Sequence, residues 1–210
     1  MIEIRKIVNG PLEENCWLAW EKGSKEALLI DPGAEPEKIA AVLEKEGLGV
    51  ALILATHAHF DHVGAVAPMK ERFKAPFAMH EADLPVLERL EDTSAFYGFG
   101  TVTIPKVERW LKAGDFVEAG ALKLKVIHTP GHTPGGLCFY HAESGHLFSG
   151  DTLFRLSIGR ADFEGGDMEA LVGGIRRELF SLPGEVKVHP GHGPDTEIEQ
   201  EKRGNPFVRG

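Results

Sequence analysis

The segment Thr56-His57-Ala58-His59-Phe60-Asp61-His62 places four metal-ligating side chains within six residues, directly after the apolar run Val50 to Leu54. Imidazole and carboxylate are borderline-to-hard donors that suit zinc, iron or manganese. His57 and His59 stand two apart, so on extended backbone they point the same way. Asp61 and His62 follow where a helix is expected to start, aimed at a neighbouring point, so one pair can chelate one ion and the other pair a second. Three later segments repeat the theme: Thr129-Pro130-Gly131-His132-Thr133, Phe148-Ser149-Gly150-Asp151-Thr152 and Val188-His189-Pro190-Gly191-His192. Each follows an expected strand and sets a His or Asp on a tight glycine turn, where the backbone can bring a ligand in closely. Together they supply seven candidate ligands, enough for two metals: His57, His59, Asp61, His62, His132, Asp151 and His192.

The elements that must position these residues read as two similar blocks. Glu3 to Val8, Asn15 to Trp20 and Glu26 to Ile30 are short apolar or alternating runs broken by Gly10-Pro11 and Gly23-Ser24, as strands are. Pro36 to Glu46 has helical periodicity with Gly47 as its stop, and Val50 to Leu54 is a buried strand. Val63 to Phe73 reads as a helix, Pro76 to Met79 as a strand, Glu81 to Leu90 as a helix, and Glu91 to Val107 as irregular. Strands return at Phe116-Val117, Leu122 to Ile127, Gly136 to His141 and His146 to Ser149, the last two joined by a Glu143-Ser144-Gly145 turn. Asp167 to Leu182 is helical and Glu185 to Val188 is a last strand. Strands and helix followed by strands and helix predict an α/β chain, one domain over 1–210, with two packed sheets and helices on their outer faces.

Composition narrows the function. The net charge of −9, with no basic segment, argues against nucleic acid as a partner. No run approaches the ~18 apolar residues of a membrane span, and the start lacks the apolar core of a secretory signal. Cys16 and Cys138 sit in apolar, strand-like surroundings and read as reduced buried thiols, which makes the cytoplasm the simplest address. Of the other histidines, His141 and His146 flank a turn and are expected to be exposed, His128 and His189 are candidates to support the ligands, and His80 has no assigned role. The aromatic loop Phe96 to Gly100 could cover an acyl group, form an oligomer interface or simply pack; the oligomeric state is left open.

His-Ala-His-Phe-Asp-His, a lone His132, Gly150-Asp151 and a final Gly191-His192, in this order, resemble the metallo-β-lactamase superfamily. Asp31, in Leu28-Leu29-Ile30-Asp31-Pro32-Gly33, looks like that family's early supporting aspartate. The resemblance implies an αβ/βα four-layer sandwich, two mixed β-sheets flanked by helices, with the site where the sheets meet. It further implies that His57, His59 and His132 hold one metal, that Asp61, His62 and His192 hold the other, and that Asp151 bridges them. Asp31 would stand behind the ligands and orient the first-motif loop, while Asp61 and Asp151 would be the catalytic carboxylates. Zinc comes first as the cofactor, with iron or manganese also suited. Some true β-lactamases of the superfamily have Cys at the bridging position and others lack a bridging protein ligand, so Asp151 points instead to the glyoxalase II (hydroxyacylglutathione hydrolase) branch in a short form.

That branch implies a metal-bridging hydroxide attacking the carbonyl carbon of a small-molecule thioester substrate derived from glutathione. Arg160 fits the position of the family's glutathione-binding Lys or Arg, and could pair with a substrate carboxylate; Arg155 is a weaker second. Two departures are visible. Asp162 stands where long glyoxalases carry Tyr, and only Gly193 to Gly210 follow the last motif, although Gly204-Asn205-Pro206-Phe207 still resembles the glyoxalase ending. Gly159-Arg160-Ala161-Asp162-Phe163 also resembles persulfide dioxygenases, which use one iron on the equivalents of His57, His132 and Asp151; a lactonase or other metallo-hydrolase is a lesser alternative.

Overall fold

The computed structural model describes residues 1–208. The first sheet holds six strands in sequence order: β1 (Ile2–Asn9), β2 (Glu14–Glu21), β3 (Glu26–Ile30), β4 (Gly49–Leu54), β5 (Phe77–His80) and β6 (Arg109–Leu111). Its first three strands pair antiparallel and the rest parallel. The second sheet contains β7 (Phe116–Ala119), β8 (Leu122–His128), β9 (Leu137–His141), β10 (His146–Gly150), β13 (Lys187–Pro190) and β14 (Thr196–Glu197), with β10 and β13 parallel. A small hairpin, β11 (Leu153–Phe154) with β12 (Ser157–Ile158), stands apart from both sheets.

Alternation along the strands explains the layers. In β2, Trp17 and Ala19 point between the sheets, while Cys16, Leu18 and Trp20 point outward beneath helices. β3 divides the same way, with Leu28 and Ile30 inward and Ala27 and Leu29 outward. The inner layer is completed from the second sheet by Leu122, Leu124, Val126, Phe139 and Phe148. Outside the first sheet lie α1 (Pro36–Glu46), α3 (Val66–Phe73) and α4 (Leu84–Glu88), which bury Ile39, Leu43, Met69 and Leu87. Outside the second lie α6 (Met168–Gly174) and α7 (Ile198–Gly204), which bury Leu171 and Ile198. The result is the αβ/βα four-layer sandwich.

Several elements differ from expectation. The helix expected over Val63 to Phe73 is two: α2 (Phe60–Val63) and α3, parted at Gly64-Ala65 where Ala65 N donates to Pro32 O. Glu81 to Leu90 becomes a 3₁₀ turn and then α4, and the stretch read as irregular begins with α5 (Leu90–Phe96). Its helical signal was masked by Thr93, Ser94 and Phe96, weak helix formers held by packing of Leu90. Asp167 is the N-cap of α6, its carboxylate accepting from Ala170 N at 2.9 Å, and the helix continues as a π-helical turn over Ile175–Leu179. Strands β6, β11, β12 and β14 were too short to show any period, and α7 carries mostly polar residues. Among the described residues no helix is long and apolar enough to cross a membrane.

Candidate metal centre

All seven candidate ligands follow the C-terminal ends of strands. The Thr56–His62 segment leaves β4, His132 follows β8, Asp151 follows β10 and His192 follows β13. Strands β3 and β4 run parallel, as do β10 and β13, so their carboxyl ends open on one edge of the sandwich. Two glycines make the approach possible. Gly150 has φ +47°, and a Cβ there would lie 2.2 Å from Thr56 Oγ1. A Cβ on Gly191 would lie 2.3 Å from Asp151 Oδ1 and 2.6 Å from His62 Cε1, so a side chain would fill the cradle itself.

The donors form two triples around one carboxylate. His132 Nε2 lies 3.2 Å from His57 Nε2 and 3.1 Å from His59 Nδ1. His192 Nε2 and His62 Nε2 lie 3.2 and 3.8 Å from Asp61 Oδ2. Asp151 stands between them, with Oδ2 3.6 Å from His132 Nε2 and 3.8 Å from His192 Nε2, and Oδ1 3.4 Å from His62 Nε2.

The outward-facing nitrogens show what the inner ones are for. His132 Nδ1 donates to Arg160 O at 2.7 Å, His192 Nδ1 to Leu12 O at 3.1 Å, and His62 Nδ1 to Asp31 Oδ2 at 3.1 Å. Thr56 Oγ1 gives its proton to Asp31 Oδ2 at 2.6 Å, so at 3.1 Å it accepts from His57 Nδ1. Each of these four rings thereby commits its Nδ1 outward and turns its Nε2 toward the centre. The neutral His57 and His132 rings thus face each other with Nε2 lone pairs 3.2 Å apart, which repel unless a cation lies between them. Ligands at ~2.0–2.1 Å from one tetrahedral ion stand roughly 3.3 Å apart, which matches. His62 Nε2 and Asp151 Oδ1 are also buried without a hydrogen-bond partner. This donor set fits two metal ions.

Electrostatics separate the triples. Burial, followed by neighbouring imidazoles, pushes His57 well below the ordinary histidine range, His59 to about 3 and His132 to about 4, so the first triple is neutral. In the second, burial opposes the charge on His62, but Asp151, Asp61 and Asp31 outweigh it and raise its pKa. His192 is raised against burial by Asp61 and Asp151. Burial raises Asp151 itself, whereas Asp61 falls below the carboxylate range because His62 and His192 outweigh its burial.

Asp31 also accepts from Thr56 N at 2.7 Å, so one carboxylate orients both ends of the His57–His62 segment. Three supporting residues escaped sequence reading. Asp83, fully buried in the 3₁₀ turn, accepts from Ala58 N, Thr133 Oγ1 and Gly135 N, and so ties the His57–His59 segment to the His132 turn. Glu14 is buried under His62, with Oε2 2.6 Å from Asn9 Nδ2 and Oε1 4.0 Å from His62 Nδ1. Glu201, from α7, accepts from Leu156 N, Thr196 Oγ1 and Asn205 Nδ2, holding the β11–β12 hairpin that follows Asp151. A lone buried acid beside small residues offers no local motif, so nothing in the sequence marked these three.

Arg160 is exposed. Its guanidinium is paired with Asp162 through two bonds of 2.9 and 3.0 Å and lies 5.8 Å from the ring of Phe163. That ring packs edge-on against both His59 and His132, at 5.1 Å. Arg155 is exposed. His141 and His146 depart from expectation. His141 is buried against Ser144 and His146 is half-buried, bonded at 2.8 Å to His189, because the β9–β10 hairpin packs onto β13. His189 in turn bonds Asp195 at 2.9 Å, while His128 stacks on His80 at 4.2 Å; neither touches a candidate ligand. Cys16 and Cys138 are buried free thiols, and burial pushes Cys138 up to about 11.

Comparison with known proteins agrees with this geometry. Residues 9–195 match the family model of the metallo-beta-lactamase superfamily. The chain is 36% identical over 198 residues to hydroxyacylglutathione hydrolase GloC of Haemophilus influenzae, covering 93% of each chain. Among solved structures, TTHA1623 in a di-iron-bound form superposes with TM-score 0.87 at 44% identity, covering 97% of this chain and 99% of that one. The B3 metallo-beta-lactamase BLEG-1 superposes with TM-score 0.92 at 36% identity, covering 99% and 100%. With the fold, the edge-of-sheet donors and these likenesses in agreement, the chain belongs to the metallo-beta-lactamase superfamily.

Proposed function

We propose that this metal-dependent hydrolase cleaves thioesters of the hydroxyacylglutathione type. The observation that carries the reading is the position of Asp151, whose carboxylate reaches both triples at 3.4 to 3.8 Å. In this reading His57, His59 and His132 hold one ion, Asp61, His62 and His192 hold the second, and Asp151 serves both. Two bound ions would supply a water acidified toward neutrality and a Lewis acid for the substrate carbonyl. The chain's own residues do the rest. Asp31, Leu12 O and Arg160 O hold the imidazoles in the ligand tautomer, and Phe163 shields His59 and His132 from water. A thiolate leaving group ionises near pKa ~8.5, so no side chain has to act as a strong general acid.

The likeness to GloC over 93% of both chains supports the thioester, and the di-iron form of TTHA1623 supports iron beside zinc or manganese as the ion. Arg160 becomes a substrate contact in this reading only by exchanging Asp162 for a substrate carboxylate. The dioxygenase alternative needs one iron on His57, His132 and Asp151, and the complete second triple supports the hydrolase instead. The test is metal-loaded protein assayed for S-lactoylglutathione cleavage, beside a chromogenic β-lactam and oxygen uptake with glutathione persulfide. Thioester turnover exceeding the other two is expected; oxygen uptake with one iron per chain, or cleavage of the β-lactam alone, would overturn the reading.

A further inference from the structure

A cleft of about 870 Å³ adjoins the metal centre, with Asp61 and Glu14 in its wall. One side is the Gly10–Leu12 turn between β1 and β2, and the other is the segment after α5. Phe60 lies between the ligands His59 and Asp61 and forms an aromatic wall there. Tyr97 stacks on it at 5.4 Å and 21°, and Phe99 packs at 4.9 Å. Tyr97 is 62% exposed, a large exposure for a ring that already has a stacking partner.

The ionisable residues of this cleft are all acids, of which buried Glu14 has its pKa raised by desolvation and Asp61 belongs to the second triple. Glu14, Glu35, Asp61 and Glu71 line it, and none of its lining residues is a lysine, arginine or histidine. Glu35 is paired with Lys38, which leaves Glu71 as an exposed carboxylate on the wall. The contrast with a second cavity is direct. That one, of about 820 Å³, is lined by Lys123, Lys125 and Arg177 as well as Glu143 and Glu178, and by none of the candidate ligands. A carboxylate entering the cleft would face the Glu71 carboxylate, whereas an uncharged ring would find an aromatic face.

We propose that this cleft is the acyl subsite, and that it selects uncharged, aromatic or apolar acyl groups and rejects acyl groups carrying a second carboxylate. The proposal rests on the thioester reading and names its acyl class. With the acyl group here, the thiol part extends to the other side of the centre, where Phe163 and Arg160 stand. Selection then comes from the wall built by Phe60, Tyr97 and Phe99, and rejection from Glu71.

Glutathione thioesters that share the thiol and differ in the acyl group test this. For phenylacetyl, lactoyl and succinyl thioesters, kcat/KM should fall in that order, by about tenfold or more from first to last. The Tyr97→Ala/Phe99→Ala double variant should raise KM for the phenylacetyl thioester about tenfold and leave the lactoyl thioester within about twofold. Glu71→Lys should improve succinyl cleavage, a gain that a merely structural role for Glu71 does not produce. A readout free of turnover runs beside it: saturation-transfer NMR on the metal-loaded protein should detect phenylacetamide but not succinamate, and the double variant should lose the phenylacetamide signal. Thioesters cleaved without acyl preference, with no phenylacetamide signal, would overturn the acyl subsite and leave the thioester reading standing. A phenylacetamide signal that depends on Tyr97 and Phe99, with no thioester cleaved, would keep the subsite's preference and overturn the thioester reading.

Discussion

The His57–His59–His132 triple and the Asp61–His62–His192 triple face each other across Asp151, yet the chain builds them differently. The first is three neutral imidazoles, with His57 and His132 buried at the ends of β4 and β8. The second includes a carboxylate, and the His192 side chain is 28% exposed. Its loop is clasped from the opposite sheet: Asn15 N donates to Gly191 O at 2.7 Å, Trp17 Nε1 to Pro190 O at 3.1 Å, and Lys6 pairs with Asp195 at 2.6 Å. The difference teaches that the two positions present different chemistry to a cation. The first holds its lone pairs ready because burial keeps protons out, whereas the second gathers protons that an ion has to displace.

The largest expected effect comes from the residue the triples share. Asp151→Ala should lower metal content at both positions, measured by elemental analysis, and lower kcat by more than the roughly 10²–10³-fold that loss of one transition-state donor costs. Loss of only one ion would show that Asp151 belongs to a single triple.

Asp83→Ala sharpens the comparison from the first triple's side. It leaves two buried N–H donors and the Thr133 hydroxyl without their acceptor, a cost of about 3 kcal/mol at roughly 1 kcal/mol each. Denaturant unfolding should show that loss, and metal affinity should fall at the first position more than at the second.

Acid separates the triples by sign. In metal-free protein the pKa values of His59, at about 3, and His132, at about 4, lie below the unfolded value of ~6.5. The unfolded chain therefore takes up their protons first, and stability falls as pH drops from ~6.5 toward about 3, with no effect above that window. His62 and His192 are raised, so what they contribute is present below ~6.5 and lost as pH rises through their folded values. Replacing His59 and His132 by Ala should flatten the acid decline, and replacing His192 should steepen it, in denaturation measured from pH 8 to 4. The same slope in both variants would contradict the division.

The smallest effect belongs to the clasp. Asp195 pairs with partly exposed Lys6 and bonds buried His189, so Asp195→Ala should cost ~1–2 kcal/mol. It should weaken the second ion's affinity a few-fold in calorimetric titration and leave the first ion's unchanged.

How much of this was legible depended on whether a residue's role was local. The seven candidate ligands could be picked out because each sits in a short His, Asp or Gly pattern after an apolar run, and β3 and α1 appeared with their observed bounds. Asp83, Glu14 and Glu201 were not, since their partners lie 4 to 52 residues away in no recognisable motif and the fold brings most of them together. His146 looked like a turn residue until β13 packed beside it. Arg160 was read for its guanidinium, while its contribution to the centre is its carbonyl, which accepts from His132 and has no sequence signature at all.

The central claim is a two-ion centre, and stepwise metal titration of the metal-free protein tests it most directly. Zinc or iron(II) is added in increments while bound metal per chain and thioester turnover are followed in the same samples. Binding that saturates at two ions per chain, with turnover reaching its maximum only as the second ion binds, is the predicted result. Full turnover at one ion per chain, or saturation at one, would contradict it.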